Sequence, residues 1–558
     1  MNFTDLFRKK SATELIKHGD DSAEHHSMNK VLRVKDLTFF GIAAIIGGGT
    51  FSAIGNACFS GGPAVIFLYI ICAVACGFTA MCYAEFASRV PISGSAYTYA
   101  YVSFGELFAW IIGWALLMEY SIGNIYIAFS WSGYFTNLLD GVGLHLPEYL
   151  TINYKEAHRA FIDNKAGEGL TAWLGAPQVS GLRIIFDLPA VIINVLITWL
   201  VYIGTKESRN ISNAMVIIKL AIIVLIIIVG VFYINVDNWH PFMPNGFGGV
   251  MGAVSGVFFA YIGFDAVSTL AEESENPQRD LPRGMIYSLI ICTVVFIILC
   301  LVLTGMASYT LLGVSDPLAE IFKIKGVKWM LFIVSIAAVV AMSSVLLVFQ
   351  MGQPRIWMTM SRDGLLPKRF ASIHPKYKTP GFATIVTGFV VGVPLFFTDE
   401  KFVLDFTSIG TLFAFVLVCG GILMLPQRID DGIETKGKFK LPYINAKWII
   451  PLLTLSSFAL LQYLNPDYIN DIFHITADNA QRNVPMFIFF ILCLLLSVFS
   501  FIKNLSLIPV LGLLSCCYLL TGMEAANWKW FSTWLAIGLV VYFCYGFRKS
   551  KLAKKTTN

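Results

Sequence analysis

Apolar runs of about twenty residues recur along the whole chain, and each is long enough to cross ~30 Å of hydrocarbon. Nothing constrains the fold more. Hydrophobic residues make up 56% of the 558 positions and charged ones only 13%, where soluble domains carry about 25% charged. A chain of this kind is an all-α polytopic membrane protein, because helices satisfy their own backbone in lipid. About fourteen such runs are expected between residues 37 and 547. The net charge of +5 is small and scattered, which does not suit nucleic acid. The eleven cysteines lie almost entirely inside apolar runs and form no CxxC. They read as packing residues, with no disulfide framework, zinc site or cofactor expected. The polar first 30 residues rule out a cleavable leader, so the first span directs insertion.

An even number of spans puts both tails on one side. Most of the 40 Lys and Arg fall in the tails and the even-numbered loops. The positive-inside rule then places both termini in the cytoplasm. The basic end (Arg548, Lys549, Lys551, Lys554, Lys555) fits this, as a topology anchor or as a contact with anionic membrane lipid.

One apolar run carries an anomaly. Residues Gly41 to Gly55 include the triplet Gly47-Gly48-Gly49, followed by Thr50 and Phe51. Each glycine weakens a helix by about 1 kcal/mol relative to alanine. Freed N–H and C=O groups survive in a bilayer only against protein, water or a ligand. The stretch therefore reads as two half-helices with an unwound joint, offering amides to a carboxylate and carbonyls to a cation. The alternative is close helix packing through small residues. A second irregular stretch, Gly256 to Thr269, has a mid-span glycine followed by Asp265. Interruptions in spans one and six are the pattern of two inverted five-span halves, and this favours a binding site.

Three charges lie deep in apolar runs, where each costs about 2.5–3.5 kcal/mol. Asp265 follows the second joint; it either pairs with a substrate cation or caps the amides of its own turn. Lys219 lies roughly 11 residues, about 16 Å, from the nearer end of its run. Burial makes its charge costly, so it can exchange a proton during a transport cycle. Protonated, it can fill a site that a sodium ion would occupy, donating to carbonyls of the first span and to Ser343 or Ser344. The alternative is a permanent structural ammonium. Glu119 in the third span is either a polar partner of the site or a hydrogen-bonded core group. Glu85 reads as a helix-end or gate residue. Phe259 and Tyr261, beside the second joint, are either pocket walls or packing residues.

These residues bring out a family. Ile45-Ile46-Gly47-Gly48-Gly49-Thr50-Phe51 resembles the Ile-Gly-x-Gly-Ile-Phe joint of the amino acid–polyamine–organocation superfamily, in its cationic amino acid transporter branch. Phe258 to Asp265, running on through Glu272-Glu273-Ser274-Glu275-Asn276-Pro277-Gln278-Arg279, is close to that branch's sixth span. Gln353 to Leu366 is close to its signature after the eighth span. Trp114 to Ile122 matches its third span, and Asn213 to Leu220 a fifth span that carries a lysine in proton-coupled members. The likeness covers residues 32 to 426.

The resemblance implies a LeuT-type 5+5 inverted repeat and alternating access. The halves would be 31–234 and 235–426, after a 1–30 tail. A 427–447 linker, four further spans (448–547) and a 548–558 basic tail would follow. By carry-over, a substrate carboxylate would sit on the amides of Gly48 and Gly49. Its ammonium would meet carbonyls of Ile45, Phe259 and Ile262, and Lys219 would replace sodium. The joint departs from the Gly-Thr-Gly-Ile-Phe of many relatives, which removes one threonine hydroxyl.

The expected function is amino acid transport across a plasma membrane, a bacterial inner membrane from the short tails. Proton symport is expected, with lysine or arginine as substrate. A small neutral amino acid is the alternative, and a non-transporting amino acid sensor is the rival from another class. A small membrane subunit is left open. An intramembrane enzyme would need a metal set or nucleophile, but neither HExxH nor GxSxG occurs among the spans.

Overall fold

A computed structural model describes residues 6–10, 30–163, 167–179, 182–314, 317–398, 400–424, 439–464, 472–474, 476, 480–523 and 525–555. Most of the 1–30 tail, the 427–438 part of the linker and residues 556–558 lie outside the described residues. The architecture is helical, as composition requires. In order come α1 (Val34–Ile45), α2 (Ile54–Gly61), α3 (Val65–Arg89), α4 (Ala96–Ser103), α5 (Glu106–Gly141), α6 (Leu188–Ile203), α7 (Thr205–Val231) and α8 (Val254–Phe259). Then follow α9 (Pro277–Met306), α10 (Lys328–Arg362), α11 (Gly381–Gly392), α12 (Glu400–Met424), α13 (Ile449–Leu464), α14 (Ala480–Lys503), α15 (Leu507–Thr521) and α16 (Ala525–Val541). Among the described residues, seven helices are long and apolar enough to cross a membrane, and five shorter apolar helices accompany them.

The segment after α5 differs from the rest. It forms helices Tyr154–Ile162 and Glu168–Gly175 and a small hairpin pairing Gln178–Val179 with Leu182–Arg183. Trp173, Ala157 and Ala172 bury a minor core there. The chain then enters α6 through a cap: the Asp187 carboxylate accepts from the Ala190 amide, with Pro189 in the first turn. Asp and Pro at these positions satisfy and omit amides that a helix start leaves over.

Most of the core is one large cluster, with smaller ones beside it, and α5 and α10 are the most enclosed long helices. The first helix packs on α9 through glycine on both sides. A Cβ on Gly41 would lie 2.4 Å from the Ser288 hydroxyl, and one on Gly284 would lie 2.8 Å from Leu37 Cβ. By contrast α7 carries an exposed row of Ile, Val and Ala. In water such a row would be a liability; in lipid it is the ordinary outer face.

Both described tail segments meet on one face. The Glu106 amide donates to the Arg8 carbonyl at 3.0 Å, and the Arg8 guanidinium lies 5.2 Å from the Phe547 ring centre. Ser550 and Tyr542 donate to the Glu106 carboxylate at 2.5 and 3.1 Å. Lys10 pairs with Asp363, whose carbonyl accepts from the Lys551 amide at 3.1 Å.

Candidate substrate site

The first apolar stretch is interrupted. Helix α1 stops at Ile45, Ile46 is extended (φ −83°, ψ 96°), and helical turns resume at Gly49 as a π-helix to Ala53. The glycines are demanded by contact. A Cβ on Gly47 would lie 2.3 Å from Val345 Cγ2, and one on Gly49 only 2.5 Å from the Ala260 Cα. Gly48 is looser, with Ile127 and Tyr126 side chains at 3.1 and 3.3 Å from such a Cβ.

The second stretch is interrupted too. Helix α8 ends at Phe259, four residues turn, and a 3₁₀-helix runs from Phe264 to Glu273. Gly263 has φ +116°, a left-handed conformation that favours glycine, and a Cβ there would lie 2.7 Å from Ala44 Cβ. The two joints therefore touch main chain to main chain, Gly49 on Ala260 and Gly263 beside Ala44.

Helix α7 brings Lys219 to the first joint. Its ammonium is fully buried and donates to the carbonyls of Ile42 (3.1 Å), Ala43 (3.1 Å) and Ile46 (2.7 Å) and to the Ser344 hydroxyl (2.9 Å). It has no salt bridge among the described residues. Four acceptors surround a group with three protons. Ser343 is not among them. One residue earlier on a helix means a turn of about 100°, and its hydroxyl instead accepts from Trp131 Nε1 at 2.8 Å.

At the second joint, Phe259 and Tyr126 meet in a T-shaped contact (centroids 5.7 Å apart, planes at 89°). Its carbonyl accepts from the Ile262 amide at 3.2 Å, and Ile262 itself is buried. Tyr261 turns away from the joint. It is buried against Phe296 and donates to the Tyr69 carbonyl at 3.0 Å, so it packs α3 rather than walling a pocket. Asp265 is buried beside the amides of Gly263, Asp265 and Ala266 and the Tyr120 hydroxyl. Glu119 is the neighbouring acid, and it accepts from Thr411 at 2.5 Å. The Thr50 hydroxyl is buried without a hydrogen-bond partner. Ile45, Gly47, Gly48, Gly49, Phe259 and Ile262 thus gather at one crossing, with Asp265 and Glu119 beyond it.

Sequence reasoning missed the closures around this crossing. The amides of Val31 and Leu32 both donate to the Glu273 carbonyl at 3.0 Å, and the Glu275 amide to Leu32 at 2.9 Å. Three acids in a row of four carry the same seam. Glu275 takes Arg33 (2.9 Å), Glu272 takes Arg362 (2.7 Å), and Glu273 takes the buried Arg355 (2.5 Å). Part of the signal was there: Arg355 and Arg362 of one quoted motif match Glu273 and Glu272 of the other in sign, whereas Arg33 lies outside both. Glu85, read as a helix-end or gate residue, pairs with Arg89 in the last turn of its own helix. Tyr126 and Ile127 were also missed, since an apolar side chain in an apolar run carries no mark.

Residues 32–469 match the model of the amino acid permease family, and residues 505–550 match the model of that family's C-terminus. The chain belongs to the amino acid permease family. Permeases of this kind are transporters of the amino acid–polyamine–organocation superfamily, not enzymes. The chain is 37% identical over 553 residues to the branched-chain amino acid permease BcaP of Bacillus subtilis, covering 98% of this permease and 99% of that one. It is 36% identical to the methylthioribose transporter of the same bacterium, over 98% and 99% of the two chains. It is 30% identical to human cationic amino acid transporter 4, over 96% of this permease and 90% of that one. The interrupted helices, the buried lysine and the arginine seam all lie inside the matched region.

Proposed function

We propose that this permease carries amino acids by alternating access between two inverted five-helix halves, 31–234 and 235–426, and that Lys219 couples the cycle to protons. The 448–547 helices are an addition to that unit. The observation that carries the reading is the Lys219 ammonium on three carbonyls of an interrupted helix. A charged amine fills that carbonyl cluster as a metal cation would, and an uncharged one does so poorly. Loss of the proton therefore loosens α1 from α7 and α10. The substrate's carboxylate meets the amides of Gly48 and Gly49, and its ammonium the carbonyls of Ile45, Phe259 and Ile262. The seam of Arg33, Arg355 and Arg362 closes the side that carries the tails, read as the cytoplasmic side of the plasma membrane.

Two observations pull the substrate's side chain in different directions. Phe259, Tyr126 and Ile127 line the joint with apolar surface, which suits a neutral branched or small side chain, and BcaP is similar along the whole chain. We take this as the first reading. Asp265 and Glu119 have no basic partner among the described residues, which suits lysine or arginine as the second.

The test is uptake of radiolabelled leucine and arginine into vesicles holding the purified permease, with and without an inward proton gradient. Wild-type protein concentrates leucine only with the gradient, and an ionophore abolishes this. Lys219→Ala lowers accumulation at least tenfold while leaving downhill exchange measurable. Gradient-driven accumulation by that variant ends the coupling proposal. Preference for arginine over leucine exchanges the two substrate readings. Equilibrium binding without flux makes the protein a sensor.

A further inference from the structure

Away from the two joints, the tail-side ends of α1 and α7 enclose a cleft of about 390 Å³. Four cations line it: Lys30, Arg33, Lys35 and Arg209. Its two acids are already engaged. Asp36 accepts from the Arg33 amide at 3.0 Å and from Asn213 at 2.7 Å, and Glu275 holds the Arg33 guanidinium at 2.9 Å. Arg209 is steered by the Val31 carbonyl at 2.7 Å. Lys30 and Lys35 are exposed and have no ion pair among the described residues. The cleft therefore carries an uncompensated positive charge.

What lies beside it narrows the occupant. Beginning two residues after Arg209, α7 exposes an apolar face that runs from Ile211 through Ile217, Ile218, Val224 and Ile228 to Val231. A basic concavity at the end of an exposed apolar helix face matches a molecule with an anionic head and a hydrocarbon tail.

The geometry points to a binding site for an anionic membrane lipid, its phosphate among Lys30, Arg33 and Lys35 and an acyl chain along α7. Arg33 is shared. A headgroup phosphate and the Glu275 carboxylate compete for the same guanidinium, so lipid occupancy weakens one bond of the seam that joins the entry to α1 with the segment after the 3₁₀-helix. The site itself does not depend on the transport reading.

The experiment is native mass spectrometry of the full-length protein extracted from vesicles of phosphatidylcholine mixed with phosphatidylglycerol. Wild-type protein is expected to retain phosphatidylglycerol in preference to phosphatidylcholine. Lys30→Gln/Lys35→Gln lowers that preference by about fivefold for each lysine removed. Lys549→Gln/Lys551→Gln on the basic tail leaves it unchanged. Glu275→Gln raises it, because the competitor for Arg33 loses its charge; a damaged fold has no route to a gain. Equal retention of the two lipids overturns the proposal. So does a preference that survives the double lysine variant, or a fall with Glu275→Gln. Displacement by soluble glycerol phosphate at the same headgroup concentration makes the cleft a site for free phosphate esters and overturns it as a lipid site.

Discussion

The two interrupted helices solve one problem in two ways. Each breaks mid-way, and each must satisfy the main-chain groups that the break frees. At the first joint the charge comes from outside: Lys219 reaches across from α7 and takes three carbonyls. At the second the polar group belongs to the turn itself: the Asp265 carboxyl lies beside the amides of residues 263, 265 and 266, yet neither of its oxygens makes a hydrogen bond among the described residues. The first arrangement ties two helices together through the group proposed above to exchange a proton. The second leaves a buried acid without a hydrogen-bond partner beside its own turn. On the proposed cycle, the difference teaches where motion is built in: α1 is fastened to its neighbours through the proton-carrying group, whereas the turn after α8 keeps its acid within itself.

The contrast breaks most completely if the joints are pushed apart. Gly49→Val places carbon 2.5 Å from the Ala260 Cα, a main-chain atom that no rotamer change can move. Overpacking of this kind costs about 1–3 kcal/mol or more. We expect no measurable uptake and a lowered melting temperature. Gly48→Ala is the control at the same joint, since the nearest atoms are a flexible Ile127 methyl at 3.1 Å and Tyr126 at 3.3 Å. It should fold as the wild type and keep part of its uptake. Equal damage by both would mean that the crossing is not set by Gly49.

Next in size is the charge at the second joint. Asp265→Asn keeps the shape and removes the carboxylate. If the acid serves its own turn, leucine uptake falls only a few-fold and arginine stays a poor competitor. If it serves a substrate cation, inhibition by arginine disappears while leucine uptake persists. A competition series read against both variants of the site separates the roles, because the shape of the joint is common to them.

Much of this was legible before any coordinates. Each break announces itself where glycine, at about 1 kcal/mol of lost helix propensity per residue, meets an apolar run. Lys219 and Asp265 stood out for the same reason: charge without water needs a partner. What the sequence hid is direction. Tyr261 sits within the turn, yet it faces Tyr69 and Phe296 rather than the opposing joint. Ser343 and Ser344 are indistinguishable in the string, and only the phase of α10 chooses between them. Partners distant in sequence were hidden too. Arg355 and Glu273 lie 82 residues apart, and charge alone gives each several candidate mates.

The smallest expected effect tests that phase directly. Ser344→Ala deletes one of four acceptors around the Lys219 ammonium and leaves the three carbonyls in place. A hydrogen bond of this kind is worth about 1.5–3 kcal/mol with a charged partner, less here because the carbonyls can absorb the freed proton. Gradient-driven uptake should fall several-fold and its pH profile should shift, with binding of substrate at fixed pH little changed. Ser343→Ala removes the acceptor of Trp131 Nε1 instead. It should lower thermal stability by a similar small amount and leave the pH profile where it was. If the profile moves with Ser343 and not with Ser344, the helix phase that puts Ser344 beside the lysine is wrong. The first joint would then be fastened by carbonyls alone, and the contrast with the second would lose its removable part.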